Sequence, residues 1–190
     1  YNVRLAQKRG VEIRRGDRPG DLARWYDLYR VTAERDRIAI HSEEYYRSLI
    51  DLAEHGPGRR LSVTLYLAEH EGDLLAGIVV VRFGSAAYYL YGASSNQKRN
   101  LMPAYALQWH AMRAAKGEGA LSYDLFGIPP AEDPSHPMHG LYRFKVGFGG
   151  NVIRRPGAYD LPLQPARYSL FRIAETTRNY YFKTIRKRGG

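Results

Sequence analysis

Carboxylates, histidines and lysines supply the candidate chemistry of this sequence, because it contains no cysteine. Thiolate nucleophiles, thiolate metal sites and disulfides are therefore excluded. Asp133, His136 and His139 form a cluster of metal-ligand types, but their spacing is loose and prolines interrupt the segment, so we predict no metal site. Asp124 could act as a general base toward an attacking amine, or could cap a turn at the end of a strand. The pattern does not choose between these two roles.

Positive charge is concentrated near the C-terminus. The 190 residues carry a formal net charge of +10. Residues 1–140 hold 18 basic and 17 acidic side chains, whereas residues 141–190 hold 11 and 2. A local excess of this kind is expected where a polyanion binds, although a basic solvated surface has the same composition. Both interpretations stay open at this stage.

The length and composition favour one well-buried globular domain. The chain is 44% hydrophobic and 13% aromatic, which excludes a disordered or collagen-like polymer. No apolar run approaches 18 residues and the N-terminus lacks the apolar core of a signal peptide, so we expect a cytoplasmic location without a membrane span. Because the sequence opens without methionine in an amphipathic stretch, we expect residues 1–10 to be the tail of a connection from a missing first domain. Residues 11–190 are then a single domain.

Helical and strand patterns alternate along the chain. Apolar positions at helical spacing predict helices that begin at Asp21, Ser42 and Pro103, and residues 56–58 end the second of them. The third helix is predicted to bury Leu101, Tyr105, Trp109 and Met112. Runs rich in Val, Ile, Leu and Tyr predict an antiparallel meander over residues 61–69, 74–83 and 86–91.

The remaining segments are shorter or irregular. Short strands are predicted at residues 11–14 and 122–126, and a strand pair or bulged strand at 151–159. Four prolines make residues 127–140 a loop, residues 141–146 are ambiguous, and a closing helix is predicted over 168–186.

This order matches the α+β plan of a GNAT (acetyltransferase-like) domain, with a central, mostly antiparallel sheet flanked by helices. In that superfamily the loop after the fourth strand binds the coenzyme A pyrophosphate through backbone amides, with small residues where the backbone approaches the phosphates. Here Asn100 and Met102 occupy the small positions in one alignment, and Pro103 removes an amide in the other. We therefore predict the fold without coenzyme A, and no other cofactor.

Two long stretches resemble the C-terminal half of the FemABX family: residues 91–130, which begin YGASSNQKRNLMPAY, and residues 136–150, HPMHGLYRFKVGFGG. NVRLAQKRGVEIR and residues 34–46 extend the resemblance over most of the chain. Members are aminoacyltransferases that use aminoacyl-tRNA as donor and a peptidoglycan precursor, UDP-linked or lipid-linked (lipid II), as acceptor. They have two tandem GNAT-like domains. The resemblance implies that this chain is the second domain, and that the protein contacts the inner face of the membrane.

The resemblance also implies roles for individual residues. Phe144 and Lys145 match positions that face the aminoacyl end of the tRNA, where Lys145 would stabilise the charge of a tetrahedral intermediate and Phe144 would stack on the terminal adenine. Arg143 is expected to contact a phosphate. The alternative is that this glycine-flanked segment is a structural corner with Phe144 in the core.

Tyrosines and basic residues complete the candidate site. Tyr91 is expected beside the acceptor channel, with Tyr89 on the same side of the strand because strand side chains alternate, although both could be packing residues. The resemblance implies that Tyr45, at the start of the second helix, helps to bind the precursor. It also implies an arginine shortly before Tyr45, but the sequence has Arg37 and then His41, which leaves a phosphate contact unassigned. Further candidate substrate contacts are Asn96 and Arg99. The candidate tRNA contacts are Arg178, Lys183, Arg186, Lys187 and Arg188.

Three functions are therefore compatible with the sequence. The first is aminoacyl transfer from tRNA to a peptidoglycan precursor. An acetyl-CoA-dependent N-acetyltransferase would bind acetyl-CoA at micromolar concentration, and a non-catalytic RNA-binding module would bind RNA in a salt-sensitive manner without transfer.

Overall fold

The computed structural model describes residues 1–55, 61–129 and 131–181 of the chain. Internal contacts divide the chain into two units, Tyr1–Phe148 and Gly149–Gly190, and each is described by itself. The helix end predicted at residues 56–58 lies outside the described residues. The expectation that residues 1–10 lead in from a preceding domain stays a prediction.

The first unit is an α+β domain, which confirms the predicted fold class. Its helices are α1 (Asn2–Lys8), α2 (Asp21–Asp36), α3 (Glu43–His55), α4 (Pro103–Gly117) and α5 (His139–Val146), with a 3-10 turn at Arg99–Leu101. Its strands are β1 (Glu12–Arg15), β2 (Leu61–His70), β3 (Asp73–Phe83), β4 (Ala86–Ser94) and β5 (Ser122–Asp124). Within the described residues these strands form one sheet in chain order, antiparallel except for the parallel pair β4–β5.

The second unit contains α6 (Pro165–Tyr180). This helix begins three residues before the predicted start, because proline is well tolerated in a first helical turn. The strand predicted at residues 151–159 is wrong: this stretch has no regular structure and is exposed. Pro156 lacks an amide for a strand ladder, and Gly157 has a φ of 93°, outside the range of extended backbone.

Two layers of helices cover the two faces of the sheet. Helices α2 and α3 pack on one face and helices α1 and α4 on the other. Trp25 of α2 is fully buried and lies against Gly77 of β3, where any side chain would overlap the indole ring. The predicted apolar stripe of α2 is confirmed by the burial of Trp25, Tyr29 and Ala33.

The face that α4 presents to the sheet differs from the prediction. Its buried residues include Ala106, Leu107, Ala111 and Ala115, whereas Trp109 is 44% exposed. Alanines let the helix backbone approach the strands closely, and there is no space between them for a large ring. The spacing of the large residues therefore predicted the wrong face.

A charge cluster joins β1, α2 and β2. Arg14 donates to Asp21 at 2.6 Å and to Glu69 at 2.7 Å. Both hydrogen bonds lower the pKa of the carboxyl that accepts them, so both carboxylates stay charged at neutral pH. We assign this cluster to the stability of the fold, since each charge has a partner within it.

Candidate active site

The sheet opens where β4 and β5 stop pairing. β5 pairs with β4 only over residues 86–88, and β4 continues to Ser94. From Tyr89 onward, this edge of β4 has no strand partner among the described residues. Lys145 of α5 reaches this opening, with its ammonium 5.5 Å from the centre of the Tyr89 ring.

A bulge in β4 sends its two candidate tyrosines to opposite faces of the sheet. Val80 pairs with Tyr89 and Val79 with Tyr91, so Leu90 is an extra residue in the strand. Tyr89 packs against the α4 side of the core and Tyr91 against the α2 and α3 side. The prediction that they share one side is wrong, because simple alternation fails across a bulge.

Lys145 is a buried cation. The residue is only 6% exposed, and its Nζ donates to the backbone oxygen of Gly127 at 2.8 Å. Burial lowers the pKa of this lysine, while the negative charge of Asp124 opposes that effect. The ammonium is therefore largely desolvated and has a neutral carbonyl, not a carboxylate, as its hydrogen-bond partner. Such a group can interact strongly with a negative charge that forms beside it.

Tyr89 supplies a rigid surface beneath this cation. Burial raises the pKa of its phenol to about 12, so the hydroxyl is neutral at physiological pH. The side chain lies along β4, where a Cβ atom at Gly92 would overlap the Tyr89 hydroxyl. Gly92 is therefore required for this orientation of the ring.

The opposite face of β4 carries a cluster of aromatic rings. The hydroxyls of Tyr91 and Tyr45 lie 3.2 Å apart, and the Tyr46 ring packs edgewise on Tyr91 with 5.0 Å between centres. His41 stacks on Tyr45 at 4.2 Å, and its backbone amide donates to the Tyr46 hydroxyl. Tyr45 is 42% exposed, so a ligand can reach this cluster.

Two other residues predicted to act beside Lys145, Phe144 and Asp124, make contacts that are typical of a structural role. Phe144 is half-buried and packs on Tyr105 and Phe148, with ring centres 4.9 and 5.4 Å apart. This arrangement is the aromatic corner that was the alternative interpretation of the motif. The Arg143 side chain is exposed and has no hydrogen-bond or ion-pair partner among the described residues. Asp124 accepts the amide hydrogen of Phe126 at 2.7 Å, as a strand-end cap does.

Polar groups of the loop between β4 and α4 form hydrogen bonds within the protein. Leu101 and Met102 donate their amides to the carbonyls of Lys98 and Arg99. Because Pro103 has no amide, the start of α4 offers few free donors to a pyrophosphate. The Asn96 side chain accepts from Arg35 at 2.9 Å and so anchors the loop to α2.

Of the remaining predicted contacts, one lies in the first unit, one lies in the second unit and four lie outside the described residues. Arg99 is exposed in the 3-10 turn, and Arg178 is exposed on α6 of the second unit. Lys183, Arg186, Lys187 and Arg188 lie outside the described residues. Within the described ranges, no group of three His, Asp or Glu side chains is arranged to hold a metal ion. No helix there is both long and apolar enough to cross a bilayer.

One buried polar residue of α4 was not found from the sequence. Gln108 of α4 is 1% exposed, and its side-chain oxygen accepts from the Tyr123 hydroxyl at 2.8 Å. The only signal was a glutamine within the mostly apolar run ALQWHAM, which carries no indication of its partner.

Comparison with known proteins decides the family. The model of the FemAB family matches residues 1–56 and 59–176. The chain belongs to the FemAB family. This agrees with the FemABX resemblance of residues 91–130 and 136–150.

Curated relatives of this FemAB chain include the lipid II:glycine glycyltransferases of Staphylococcus saprophyticus and Staphylococcus aureus (strain USA300). Each is 26% identical over an alignment that covers 88% of this chain and 54% of the relative. The chain thus spans about half the length of the curated relatives it matches.

Solved structures give the same fold. The crystal structure of FemX superposes with a TM-score of 0.65 at 25% identity, over 76% of this chain and 51% of FemX. An aminoglycoside acetyltransferase from a soil metagenomic sample, in complex with sisomicin, superposes with a TM-score of 0.53 at 11% identity, over 81% and 97% of the two chains. The predicted GNAT-like fold is confirmed.

Proposed function

We propose that this chain is a domain of an aminoacyltransferase that moves an amino acid from aminoacyl-tRNA to an amine of a peptidoglycan precursor. The observation that carries the proposal is the buried Lys145 ammonium at the opening between β4 and β5. Membership in the FemAB family, together with relatives named lipid II:glycine glycyltransferase, supports this choice of acceptor.

The chemistry is attack of a neutral amine on the ester carbonyl of the donor. A carbon–nitrogen bond forms, the carbon–oxygen bond to the ribose breaks, and the proton lost by the amine ends on the ribose oxygen. Negative charge develops first on the carbonyl oxygen and then on the departing oxygen. Lys145 stabilises that charge, and its desolvation increases the gain because water does not screen the interaction.

The two faces of β4 receive different parts of the substrates in this proposal. The exposed edge formed by Tyr45 and Tyr91 binds the acceptor through uncharged rings and hydroxyls. Phe144 and Arg143 lie next to Lys145 in sequence and contact the 3′ end of the tRNA, and the basic residues near the C-terminus bind its phosphates. The reaction then takes place at the inner face of the membrane, where a lipid-linked acceptor meets a cytoplasmic donor.

Acetyl-CoA is disfavoured as a donor. The loop before α4 turns the amides of Leu101 and Met102 inward, and Pro103 has none to offer. The fold is similar to that of an acetyltransferase, but this loop lacks the free amides that would bind the pyrophosphate.

A transfer assay with the full-length protein tests the proposal. Aminoacyl-tRNA and precursor are supplied together, and reactions with acetyl-CoA as donor or without acceptor are run alongside. We expect the precursor to gain an amino acid only with the tRNA donor. Acetylated precursor, or micromolar binding of acetyl-CoA by calorimetry, would contradict the proposal. Salt-sensitive tRNA binding without any transfer would instead favour a non-catalytic RNA-binding module.

A further inference from the structure

Two neighbouring helices on one face of the sheet carry basic side chains without acidic ones. Neither α1 nor α4 contains an Asp or Glu residue. Five exposed cations form what we call the α1–α4 surface: Arg4, Lys8 and Arg9 at α1, and Arg113 and Lys116 of α4. Within the part of the chain that the structure describes, none of the five forms a salt bridge or a side-chain hydrogen bond. The near balance of charge over residues 1–140 therefore conceals a surface of one sign.

The cations of the two helices flank one groove. A groove of about 420 Å³ lies where α1, β1 and α4 meet, with Gln7 of α1 and Arg113 of α4 in its lining. Arg4 precedes Gln7 by three residues, and Lys116 follows Arg113 by three. Because residues at this spacing are neighbours on a helix surface, both helices present a cation beside the groove.

The groove contains an exposed aromatic ring and an apolar lining. Trp109 and His110 line it together with apolar residues that include Val11 and Ile13. Trp109 is 44% exposed, whereas Trp25, the other tryptophan, is fully buried. Burial and the charge of Arg113 lower the pKa of His110, so this ring is neutral at pH 7. The volume is in the range of ligand clefts, about 300–1,000 Å³, so a planar ring can enter.

Unpaired nucleic acid fits this combination better than the other polyanions that a basic surface attracts. Single-stranded RNA is bound by cations that contact its phosphates and by aromatic side chains on which its bases stack. An anionic membrane requires an apolar face that protrudes. Here the apolar lining is in a concavity, and apolar residues of both helices pack on the sheet.

We propose that the α1–α4 surface binds an unpaired stretch of RNA, with phosphates on Arg4 and Arg113 and a base stacked on Trp109. The proposal rests on the proposed function for the identity of this RNA, the donor tRNA, whose loops and 3′ end expose unpaired bases. It gives the first unit an RNA contact of its own, separate from the basic residues near the C-terminus.

Tryptophan fluorescence of this chain tests the groove directly, because stacking on a base quenches an indole. We expect tRNA and a short single-stranded RNA to quench the emission, and a duplex RNA to quench it less. Trp109→Leu should abolish the quenching, since Trp25 is buried, and should lower the affinity for RNA about tenfold. Quenching that persists in Trp109→Leu would overturn the proposal. An emission change with phosphatidylglycerol vesicles or polyglutamate, but none with RNA, would also overturn it.

The salt dependence of binding tests the cations. Arg4→Ala and Arg113→Ala should each weaken binding of labelled tRNA a few-fold, and each should reduce the slope of log affinity against log salt concentration by about 0.7 to 1. Arg113→Lys keeps the charge and should keep the slope. Arg30→Ala, at an exposed arginine of α2 on the other face of the sheet, is the control with the same net charge. An equal loss in Arg30→Ala would show that binding follows net charge alone, and would overturn the proposal.

Transfer assays with the full-length protein separate this proposal from the proposed function. Arg4→Ala combined with Arg113→Ala should raise KM for aminoacyl-tRNA about tenfold, with kcat and the acceptor KM unchanged, because these residues bind the donor away from the reacting atoms. An unchanged KM in an active enzyme would overturn the α1–α4 proposal and leave the proposed function standing. Quenching of Trp109 by tRNA without any transfer would count against the proposed function alone.

Discussion

The two faces of β4 at its bulge differ in the kind of group they bury. On the α4 side, Tyr89 lies beneath the Lys145 cation. On the α2 and α3 side, Tyr91 packs on the ring of Tyr46, and its hydroxyl lies 3.2 Å from that of the exposed Tyr45. One extra residue, Leu90, separates the two environments.

We therefore expect the two faces of β4 to have different functions, charge stabilisation on one and substrate binding on the other. The Lys145 side can stabilise charge, because its cation is desolvated and fixed in place. The Tyr91 side groups tyrosine rings and hydroxyls, so it can contribute contact area and hydroxyl hydrogen bonds to substrate binding. Changes on the first side should therefore alter kcat, and changes on the second should alter KM.

The largest expected effect comes from removing the cation. Lys145→Met should lower kcat about 100-fold or more, while KM for the acceptor changes little. Its thermal unfolding temperature should stay the same or rise, because a buried charge is replaced by an apolar side chain. Lys116→Met, at an exposed lysine of α4, is the control and should stay within about twofold of wild type. A kcat within about threefold of wild type for Lys145→Met would contradict the catalytic function of the Lys145 face of β4.

A methyl group at Gly92 should disturb the charged face without touching the cation. Gly92→Ala forces the Tyr89 ring to move, and we expect kcat to fall about tenfold. Gly117→Ala provides the control, because a Cβ there meets open space and alanine favours a helix. Steady-state kinetics of the two variants side by side check this prediction. Equal activity of Gly92→Ala and wild type would show that the position of the ring is unimportant.

The smallest expected effect belongs to the uncharged face. Tyr91→Phe removes the hydroxyl contact with Tyr45, which is expected to raise the acceptor KM about fivefold, equivalent to about 1 kcal/mol, with kcat unchanged. Tyr88→Phe is the control, since the Tyr88 hydroxyl makes no hydrogen bond with a described residue. A loss confined to kcat would place Tyr91 with the catalytic groups and would contradict the expected difference in function between the two faces of β4.

The sequence predicted the elements better than the site. Apolar periodicity located α2, which buries one stripe of its surface, and apolar runs located the three meander strands, because β2 and β3 are buried on both faces of the sheet. It failed for α4, where alanines form the packed face and Trp109 is exposed. It also placed Tyr89 and Tyr91 on one side of the strand, because a bulge leaves no mark in the alternation of residue types.

For the site, the resemblance led to Lys145, and the structure added its surroundings. The Gly127 carbonyl lies in a loop and the Tyr89 ring in β4, both distant from Lys145 in sequence, so no local motif could connect them. Asn96 shows the converse: a polar loop residue that suggested substrate binding is engaged by Arg35 within the fold.

The pH dependence of the single-turnover transfer rate tests the central claim most directly. The active form of Lys145 carries a proton, and burial holds its pKa below the ordinary lysine value of about 10.4. Deprotonation of Lys145 should therefore lower the wild-type rate, corrected for uncatalysed ester hydrolysis, before that value is reached. Lys145→Arg keeps its charge over this range, so the ratio of the wild-type rate to the Lys145→Arg rate should fall with rising pH, because deprotonation of the acceptor amine affects both proteins equally. A ratio that stays constant as the pH rises would contradict the account.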